Sequence, residues 1–301
     1  MKGFIPAYLE IYKKGELNRR IAKVEDLMES CTLCPQHCRV NRFQSRKGKC
    51  NSGAYPIVAS FNPHFGEESP LVGRMGSGTI FFSNCNLKCV YCQNCDISQF
   101  GYGEEISCEA LAEIMMRLQN SGCHNINFVS PTHMIYPILK ALPLAIERGL
   151  NVPLVYNSGG YDSVEILKIL EGIFDIYMPD FKYGDDTMAG KFSDAPKYSD
   201  FAKSALKEMH RQVGDLRVNS NGIALQGLVV RHLILPDDLA ATYHVIDFIA
   251  DLSDNTYLNL MDQYRPEYRA AEFSGLDRSL SPSEYMKYLE YARSKGLTRL
   301  D

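Results

Sequence analysis

The chain has 301 residues, a formal net charge of -4 and a hydrophobic content of 45%. This length allows one large α/β domain with an appendage, or two ordinary domains. The mildly acidic balance gives no global electrostatic reason to expect nucleic acid or an anionic membrane as a partner. No stretch approaches the apolar length of a membrane span, and the N-terminal segment does not resemble a signal peptide. We therefore expect a cytoplasmic protein, in which the 10 cysteines are more often metal ligands than disulfide partners.

The first predicted element is a helix over residues 7–30, where apolar residues recur with a period near 3.6. Residues 31–70 contain Cys, Gly and Pro and are predicted to be mostly irregular. Within this segment, four cysteines follow the spacing C-x2-C-x3-C-x11-C: Cys31, Cys34, Cys38 and Cys50. Four soft ligands around tight turns suit a closed zinc site or an auxiliary four-iron cluster. The sequence therefore predicts a second metal site, with four free thiols as the alternative, and the spacing does not choose between zinc and iron–sulfur.

The segment from Arg39 to Lys49, just before the last of these cysteines, contains basic residues and no acid: Arg39, Arg42, Arg46, Lys47 and Lys49. A basic cysteine knuckle of this kind can contact RNA or an acidic partner. The same charges can instead offset a thiolate-rich metal centre and solvate a loop. We favour the second interpretation, so nucleic acid is not an expected partner.

From residue 79 onwards, short apolar runs alternate with amphipathic stretches. The apolar runs predict strands over 79–84, 125–130, 153–158, 174–180, 227–235 and 256–262. Helices are predicted over 107–121, 135–149, 162–170, 197–213 and 238–252, and over 282–295, where Ser281 and Glu284 suggest a capping box. Strands that alternate with helices indicate a parallel sheet with right-handed crossovers. An open doubly wound sheet and a partial barrel both fit, and in either one the active site lies at the carboxyl ends of the strands.

Polar and special residues collect at these predicted strand ends. They are Asn84 and Cys85, Ser130 to His133, Asn157 to Gly160, Asp180 to Lys182, and Asp262 to Tyr264. The isolated histidines His64 and His133 are interpreted as structural, and Glu67 and Glu68 are expected on a solvated face. The sequence contains no P-loop, nucleophile elbow or dinucleotide fingerprint.

Three closely spaced cysteines lie just beyond the first predicted strand, in the run CNLKCVYC: Cys85, Cys89 and Cys92. On a helix they would share one face, but the polar Asn86 does not belong on a buried stripe. Thiolates this close in sequence can wrap a compact inorganic cluster. Zinc would need a fourth ligand, which Cys95 can supply. Three thiolates around a four-iron cube leave one iron without a protein ligand, and an open metal position is what a catalytic site needs.

The run CNLKCVYCQN resembles the C-x3-C-x2-C motif of the radical S-adenosylmethionine (SAM) superfamily. Tyr91 before the last cysteine, and Gln93 and Asn94 after it, resemble the activating enzymes of glycyl-radical enzymes. The N-terminal CTLCPQHCRVNR…GKC, followed by SFNPHFGEESPLVGR, is similar to PflX-like proteins, which are related to pyruvate formate-lyase activating enzyme. The resemblance covers nearly the whole chain.

The resemblance, together with the strand pattern, implies an α/β fold with a partial (β/α)6 TIM-like barrel. We expect this radical SAM core over residues 75–265. A helical, cysteine-rich N-terminal segment over 1–74 would precede it, and a short C-terminal extension over 266–301 would follow.

In the family that the chain resembles, the three cysteines of the motif ligate a [4Fe-4S] cluster, which implies this role for Cys85, Cys89 and Cys92. SAM would bind the fourth iron through its amino and carboxylate groups. One electron would then cleave SAM to methionine and a 5′-deoxyadenosyl radical, which abstracts a hydrogen atom from the substrate. The electron would come from a reductant such as flavodoxin or ferredoxin, and no other catalytic residue is assigned.

The resemblance also implies a set of SAM contacts at the strand ends. The Gly-Gly-Glu motif that usually follows the second strand is replaced here by Val-Ser-Pro-Thr-His. The residues expected to bind the cofactor are Ser130, Asn157, Ser158, Gly159, Asp180, Lys182 and Arg231. An Arg231 that simply pairs with Asp180 is an equally acceptable interpretation. Asn157, Ser158, the Met178 carbonyl and Asp180 also match the places of a monovalent cation in the activating enzymes.

Three hypotheses of function follow. The first is a radical SAM enzyme that activates a glycyl-radical enzyme, with a glycine loop of that partner protein as substrate. The second keeps the cofactors but modifies a small molecule, a peptide or RNA. The third is a non-catalytic iron–sulfur or zinc protein for binding or electron transfer, which the polar strand ends disfavour. The first needs an open groove at the barrel mouth, whereas a small-molecule substrate needs a closed pocket with a few convergent polar groups.

Overall fold

A computed structural model of the chain describes residues 4–44 and 48–301. Arg46 and Lys47, two members of the predicted basic stretch, lie outside the described residues. The strands are β1 (Ile57–His64), β2 (Ser77–Phe82), β3 (Glu104–Glu105), β4 (Ile126–Val129), β5 (Leu154–Ser158), β6 (Ile176–Pro179), β7 (Arg217–Val218), β8 (Ala224–Leu233) and β9 (Tyr257–Met261).

Helices lie between most of these strands. They are α1 (Ala7–Lys13), α2 (Glu16–Glu29), α3 (Ser69–Val72), α4 (Cys95–Ser98), α5 (Cys108–Asn120), α6 (Ile135–Glu147), α7 (Val164–Ile169), α8 (Asp186–Ser193), α9 (Tyr198–Val213), α10 (Thr242–Leu252) and α11 (Pro282–Ser294). The capping box predicted at the start of α11 is confirmed, because the Ser281 and Glu284 side chains bond each other's backbone N–H groups. Within the described part of the chain, no helix is long and apolar enough to cross a membrane.

The sheet is parallel through its centre. Neighbouring strands follow the order β2-β4-β5-β6-β8-β9, and every pair in this series is parallel. These are the strands predicted from the sequence, so the α/β fold class is confirmed. The ends of β2 and β9 line the same cavity, which means that the sheet curls into a partial barrel. The boundaries of the three predicted segments stay a prediction.

Two parts of the N-terminal region differ from the prediction. The helix expected over 7–30 is two helices, because Gly15 adopts a left-handed conformation with φ of 69° between α1 and α2. The segment 31–70, expected to be mostly irregular, contains β1, which pairs antiparallel with β2. Only the first two residues of β1 are buried, and Pro63 interrupts its pattern. An edge strand of this kind carries little periodic signal.

The N-terminal helix α1 is fastened to the amino ends of the central strands. The Tyr8 hydroxyl donates to the Val152 carbonyl at 2.9 Å. The Asp175 carboxylate, just before β6, accepts the Ala7 N–H at 3.0 Å and the Leu154 N–H at 3.2 Å. Asp175 is buried. Burial raises its pKa to about 7, although the two N–H donors oppose that change.

This carboxyl predicts a pH dependence of stability. Its pKa is about 7 in the folded chain and near 3.9 in an unfolded one, so the folded chain binds more protons between these values. Its contribution to the free energy of unfolding is therefore complete at low pH and is lost as the pH rises through about 7. Asp175→Asn should remove this decline, as measured by anaerobic chemical denaturation at several pH values. Parallel curves for wild type and variant would contradict the prediction.

Candidate active site

The loop after β2 carries the three closely spaced cysteines. Backbone hydrogen bonds fix its conformation at its start and in its middle. Asn84 leaves the strand with φ of 68°, and its N–H donates to the Ile97 carbonyl at 2.8 Å. Further along, the N–H groups of Lys88 and Val90 donate to the carbonyls of Ser193 and Phe192, each at 2.8 Å. The end of α8 therefore fixes the middle of the cysteine loop.

Each sulfur of this loop has a hydrogen-bond partner. The Leu87 N–H donates to Cys85 Sγ at 3.4 Å, and the Ser193 hydroxyl donates to Cys89 Sγ at 3.0 Å. Cys92 Sγ lies 3.0 Å from the Ser98 hydroxyl. Burial raises the pKa of Cys89 to about 12, while the ammonium group of Lys182 opposes that change. Hydrogen bonds to sulfur favour the thiolate, which is the form that binds metals.

One cavity collects the predicted cofactor residues. Its empty space is about 760 Å³, part of it open to solvent. Every residue that the sequence predicted for the cluster and for SAM lines it: Cys85, Cys89, Cys92, Ser130, Asn157, Ser158, Gly159, Asp180, Lys182 and Arg231. Cys95, the alternative zinc ligand, is not among the described residues that line the cavity. The structure therefore brings together side chains from four strand ends and the cysteine loop.

Charged side chains in this cavity pair with each other. Asp180 accepts from Lys182 Nζ at 2.6 Å and from Arg231 Nε at 2.9 Å. Burial pushes the pKa of Asp180 upward, but these two cations outweigh it and hold the pKa below its ordinary value. Arg231 also donates to the Asn157 side-chain carbonyl at 2.8 Å. Asn157 and Asp180, two of the four groups that resemble a monovalent-cation site, are thus already bonded to cationic side chains.

Glu67 and Glu68 were expected on a solvated face, and this expectation is wrong. The Glu67 and Glu68 side chains retain 7% and 3% of their exposure, and both lie against Arg231. Arg231 Nη1 lies 3.4 Å from Glu67, and Asn259 donates to Glu68 at 3.1 Å. Burial raises the pKa of Glu67, although Arg231 opposes the change. A short acidic pair after an edge strand gives no periodic signal that predicts this burial.

Asp162 is a further residue of the site that the sequence analysis missed. Its buried carboxylate accepts hydrogen bonds from the hydroxyls of Thr132 at 2.7 Å, Tyr156 at 2.8 Å and Ser158 at 2.6 Å. Burial raises its pKa, and these three hydroxyls oppose the change. Asp162 therefore orients Ser158, a predicted cofactor residue, without lining the cavity itself. Only its place shortly after a strand end hinted at such a role.

A larger, more open space adjoins the first cavity. It has an empty volume of about 1120 Å³ and shares Cys89, Cys92, Asp180, Lys182 and Arg231 with the first cavity. Its outer wall contains His64 at the end of β1, Glu67 after β1, and Gln263 after β9. His64 packs edge-on against Phe81 with ring centroids 5.8 Å apart. This space gives a substrate access to the cysteine loop.

The donor set fits a thiolate-bound cluster. Three soft sulfur ligands with hydrogen-bond donors line one cavity, and polar groups lie opposite them. Among residues 4–44 and 48–301, no group of three or more His, Cys, Asp or Glu side chains is arranged to hold a single metal ion. A four-iron cube instead takes each thiolate on a different iron.

A partial α/β barrel with a three-cysteine loop at its mouth defines an enzyme class, and comparison with known proteins identifies it. The model of the Radical SAM superfamily matches residues 79–228. The chain belongs to the radical SAM superfamily, and this membership implies an enzyme that uses a [4Fe-4S] cluster and SAM.

The chain is similar to several individual proteins, over different shares of its length and at different levels of sequence identity. Uncharacterized protein MJ0674 of Methanocaldococcus jannaschii is 34% identical over 96% of this chain and 82% of its own length. Pyruvate formate-lyase-activating enzyme of Clostridium pasteurianum is 29% identical over 130 residues, which are 41% of this chain and 53% of that protein. The solved structure of anSMEcpe with bound AdoMet is 14% identical with a TM-score of 0.47, over 70% of this chain and 57% of that one.

The ion cluster at the cavity predicts a large loss of stability when Arg231 is removed. Arg231→Met should lower the free energy of unfolding by about 3 kcal/mol, because it leaves buried carboxylates without their cation. Adding Glu67→Gln should recover part of this loss, as measured by chemical denaturation. The control is Arg148→Met, because Arg148 pairs with Glu113 at the surface, and it should cost less than about 1 kcal/mol. Equal losses for the two arginine variants would contradict the prediction.

Proposed function

We propose that Cys85, Cys89 and Cys92 hold the [4Fe-4S] cluster of this radical SAM enzyme and that SAM binds in the same cavity. The observation that carries the proposal is the shared cavity, in which the three thiols face polar groups from the ends of β4, β5, β6 and β8. When bound there, the cluster and SAM supply a 5′-deoxyadenosyl radical that removes a hydrogen atom from a substrate.

The residues of the cavity bind and orient SAM. Lys182 and Arg231 provide positive charge for the carboxylate of its methionine part. Asp180 and the Ser130 hydroxyl provide acceptors for its ammonium group, in place of the missing Gly-Gly-Glu motif. Gly159 leaves room for close approach next to Ser158, whose hydroxyl is oriented by Asp162. These roles follow from the charge and hydrogen-bonding capacity of groups that line one space.

The substrate class best supported is a glycine loop of a partner protein, as in the activation of a glycyl-radical enzyme. The larger space is open enough to admit a loop. Exposed aromatic residues flank the cysteine loop: Phe100, Tyr102 and Tyr268 are 57%, 67% and 40% exposed. Phe100 packs edge-on against Tyr268 with ring centroids 5.7 Å apart. Exposed apolar patches of this kind favour protein partners, and the similarity to an activating enzyme points the same way.

A small charged molecule is the second candidate substrate. It is favoured by the charged lining of the larger space, where Glu67, Arg231 and His64 converge. For either substrate, we place the reaction in the cytoplasm, where thiols stay reduced. A one-electron donor protein of the flavodoxin or ferredoxin class would supply the electron.

The proposal predicts SAM cleavage that depends on the cysteine loop. After anaerobic reconstitution with iron and sulfide, the wild type with SAM and dithionite should form 5′-deoxyadenosine, measured by mass spectrometry. Cys89→Ala should form none, because the cluster loses a ligand. The matched control is Cys123→Ala, which should keep the activity. Cys123 is a buried cysteine that belongs neither to the cysteine loop nor to the four N-terminal cysteines. If the wild-type chain contains the cluster but forms no 5′-deoxyadenosine, the proposal is wrong.

The two substrate classes differ in where the abstracted hydrogen originates. We would incubate the reconstituted enzyme with separated macromolecular and small-molecule fractions of a deuterated cell extract. Deuterium in 5′-deoxyadenosine from the macromolecular fraction is the expected result. Phe100→Ala should reduce this transfer without reducing SAM cleavage in the absence of substrate. Deuterium from the small-molecule fraction alone would refute the protein-loop substrate and support the second candidate.

A further inference from the structure

A second group of thiols lies apart from the proposed SAM site. Cys31, Cys34, Cys38 and Cys50 line one cavity in the N-terminal segment, together with Arg42 and His133. The empty space among these side chains is about 360 Å³, part of it open to solvent. Cys31, Cys34 and Cys50 are buried, whereas Cys38 is half-buried. The cysteines predicted from their spacing to form a metal site are therefore brought together by the fold.

A backbone donor reaches one of these sulfurs. The Lys49 N–H donates to Cys38 Sγ at 3.2 Å. Such a bond stabilises negative charge on sulfur, which a metal-bound thiolate carries.

Among the described residues, a buried cation in the same cavity has no carboxylate partner. Arg42 is 2% exposed, and its guanidinium donates to the Ser52 carbonyl at 3.1 Å and the Gly53 carbonyl at 2.7 Å. Within the described ranges, none of the ion pairs involves Arg42. A buried arginine requires compensating negative charge, and four metal-bound thiolates would supply it.

A buried nitrogen in the cavity wall also has no hydrogen-bond partner among the residues that the structure describes. The His133 side chain lines the cavity, and its Nε2 lies 2.9 Å from the Ser83 carbonyl. Its Nδ1 is buried and makes no hydrogen bond within the described part of the chain. Buried polar atoms are almost always paired, so an orphaned one indicates a group that the protein itself does not provide.

We propose that Cys31, Cys34, Cys38 and Cys50 ligate a second iron–sulfur cluster, with Arg42 and His133 in the wall of its site. Iron–sulfur is favoured over zinc by the position of the cavity against the proposed SAM site. Gln36 Nε2 donates to the Asn86 carbonyl at 2.9 Å, and His133 reaches the Ser83 carbonyl. Ser83 and Asn86 lie on either side of Cys85 in the chain, so residues beside the second thiol group bond directly to the loop that carries the first. A redox-active centre makes use of that closeness, whereas a closed zinc site gains nothing from it.

Iron content tests this proposal without any measurement of SAM cleavage. The variant Cys85→Ala/Cys89→Ala/Cys92→Ala removes the thiols of the proposed SAM site, so its iron reports on the remaining cysteines. After anaerobic reconstitution, we expect about four iron and four sulfide ions per chain in this variant. Adding Cys34→Ala should lower the iron and sulfide content, because it removes one ligand, whereas adding Cys123→Ala should not. Circular dichroism checks that each variant is folded.

Two results would overturn the proposal. One is a folded triple variant that binds no iron after reconstitution. The other is stoichiometric zinc without sulfide in the purified triple variant. Because the triple variant does not depend on the proposed SAM chemistry, failure here leaves that chemistry intact. The triple variant also keeps all four N-terminal cysteines, so the first measurement remains decisive even if Cys34→Ala does not fold.

Discussion

Arg231 connects more parts of the candidate active site than any other side chain discussed above. It extends from β8 to Asp180 after β6, to Asn157 on β5, and to Glu67 and Glu68 after β1. These bonds draw the carboxyl ends of separate strands towards one point. Buried charges tolerate this arrangement only while they remain paired. The shape of the cavity therefore depends on a balance of charge at its centre, beside the thiols that the cofactor needs.

The N-terminal segment is part of the same construction. Its strand β1 pairs with the edge of β2, and Glu67, which follows β1, lies against Arg231. Gln36, in the cysteine-rich part of the segment, bonds the loop that carries Cys85. The end of α8 supports that loop from the other side through Ser193. The cysteine loop is thus held between two elements outside the parallel sheet. This explains how a loop with several polar residues keeps its thiols at the cavity.

Much of this arrangement could be predicted from the sequence, because parallel strands place their carboxyl ends at one edge. That rule alone predicts that Ser130, Asn157 and Asp180 lie beside the cysteine loop, and all three line the same cavity as its thiols. The contributions of Glu67 and Asp162 were missed, because their burial depends on long-range partners and not on any local period. β1 was missed for a related reason, since an edge strand buried only at its start lacks the alternation that marks a strand.

The proposed active site requires that the three cysteines after β2 hold a cluster with an open iron that binds SAM. Electron paramagnetic resonance of the reconstituted, dithionite-reduced chain tests it most directly, before and after SAM is added. We expect a reduced-cluster signal whose g-values shift with SAM, and loss of that shift in Cys85→Ala/Cys89→Ala/Cys92→Ala. If the wild-type chain contains the cluster and its spectrum does not change when SAM is added, SAM does not bind this cluster and the assignment is wrong.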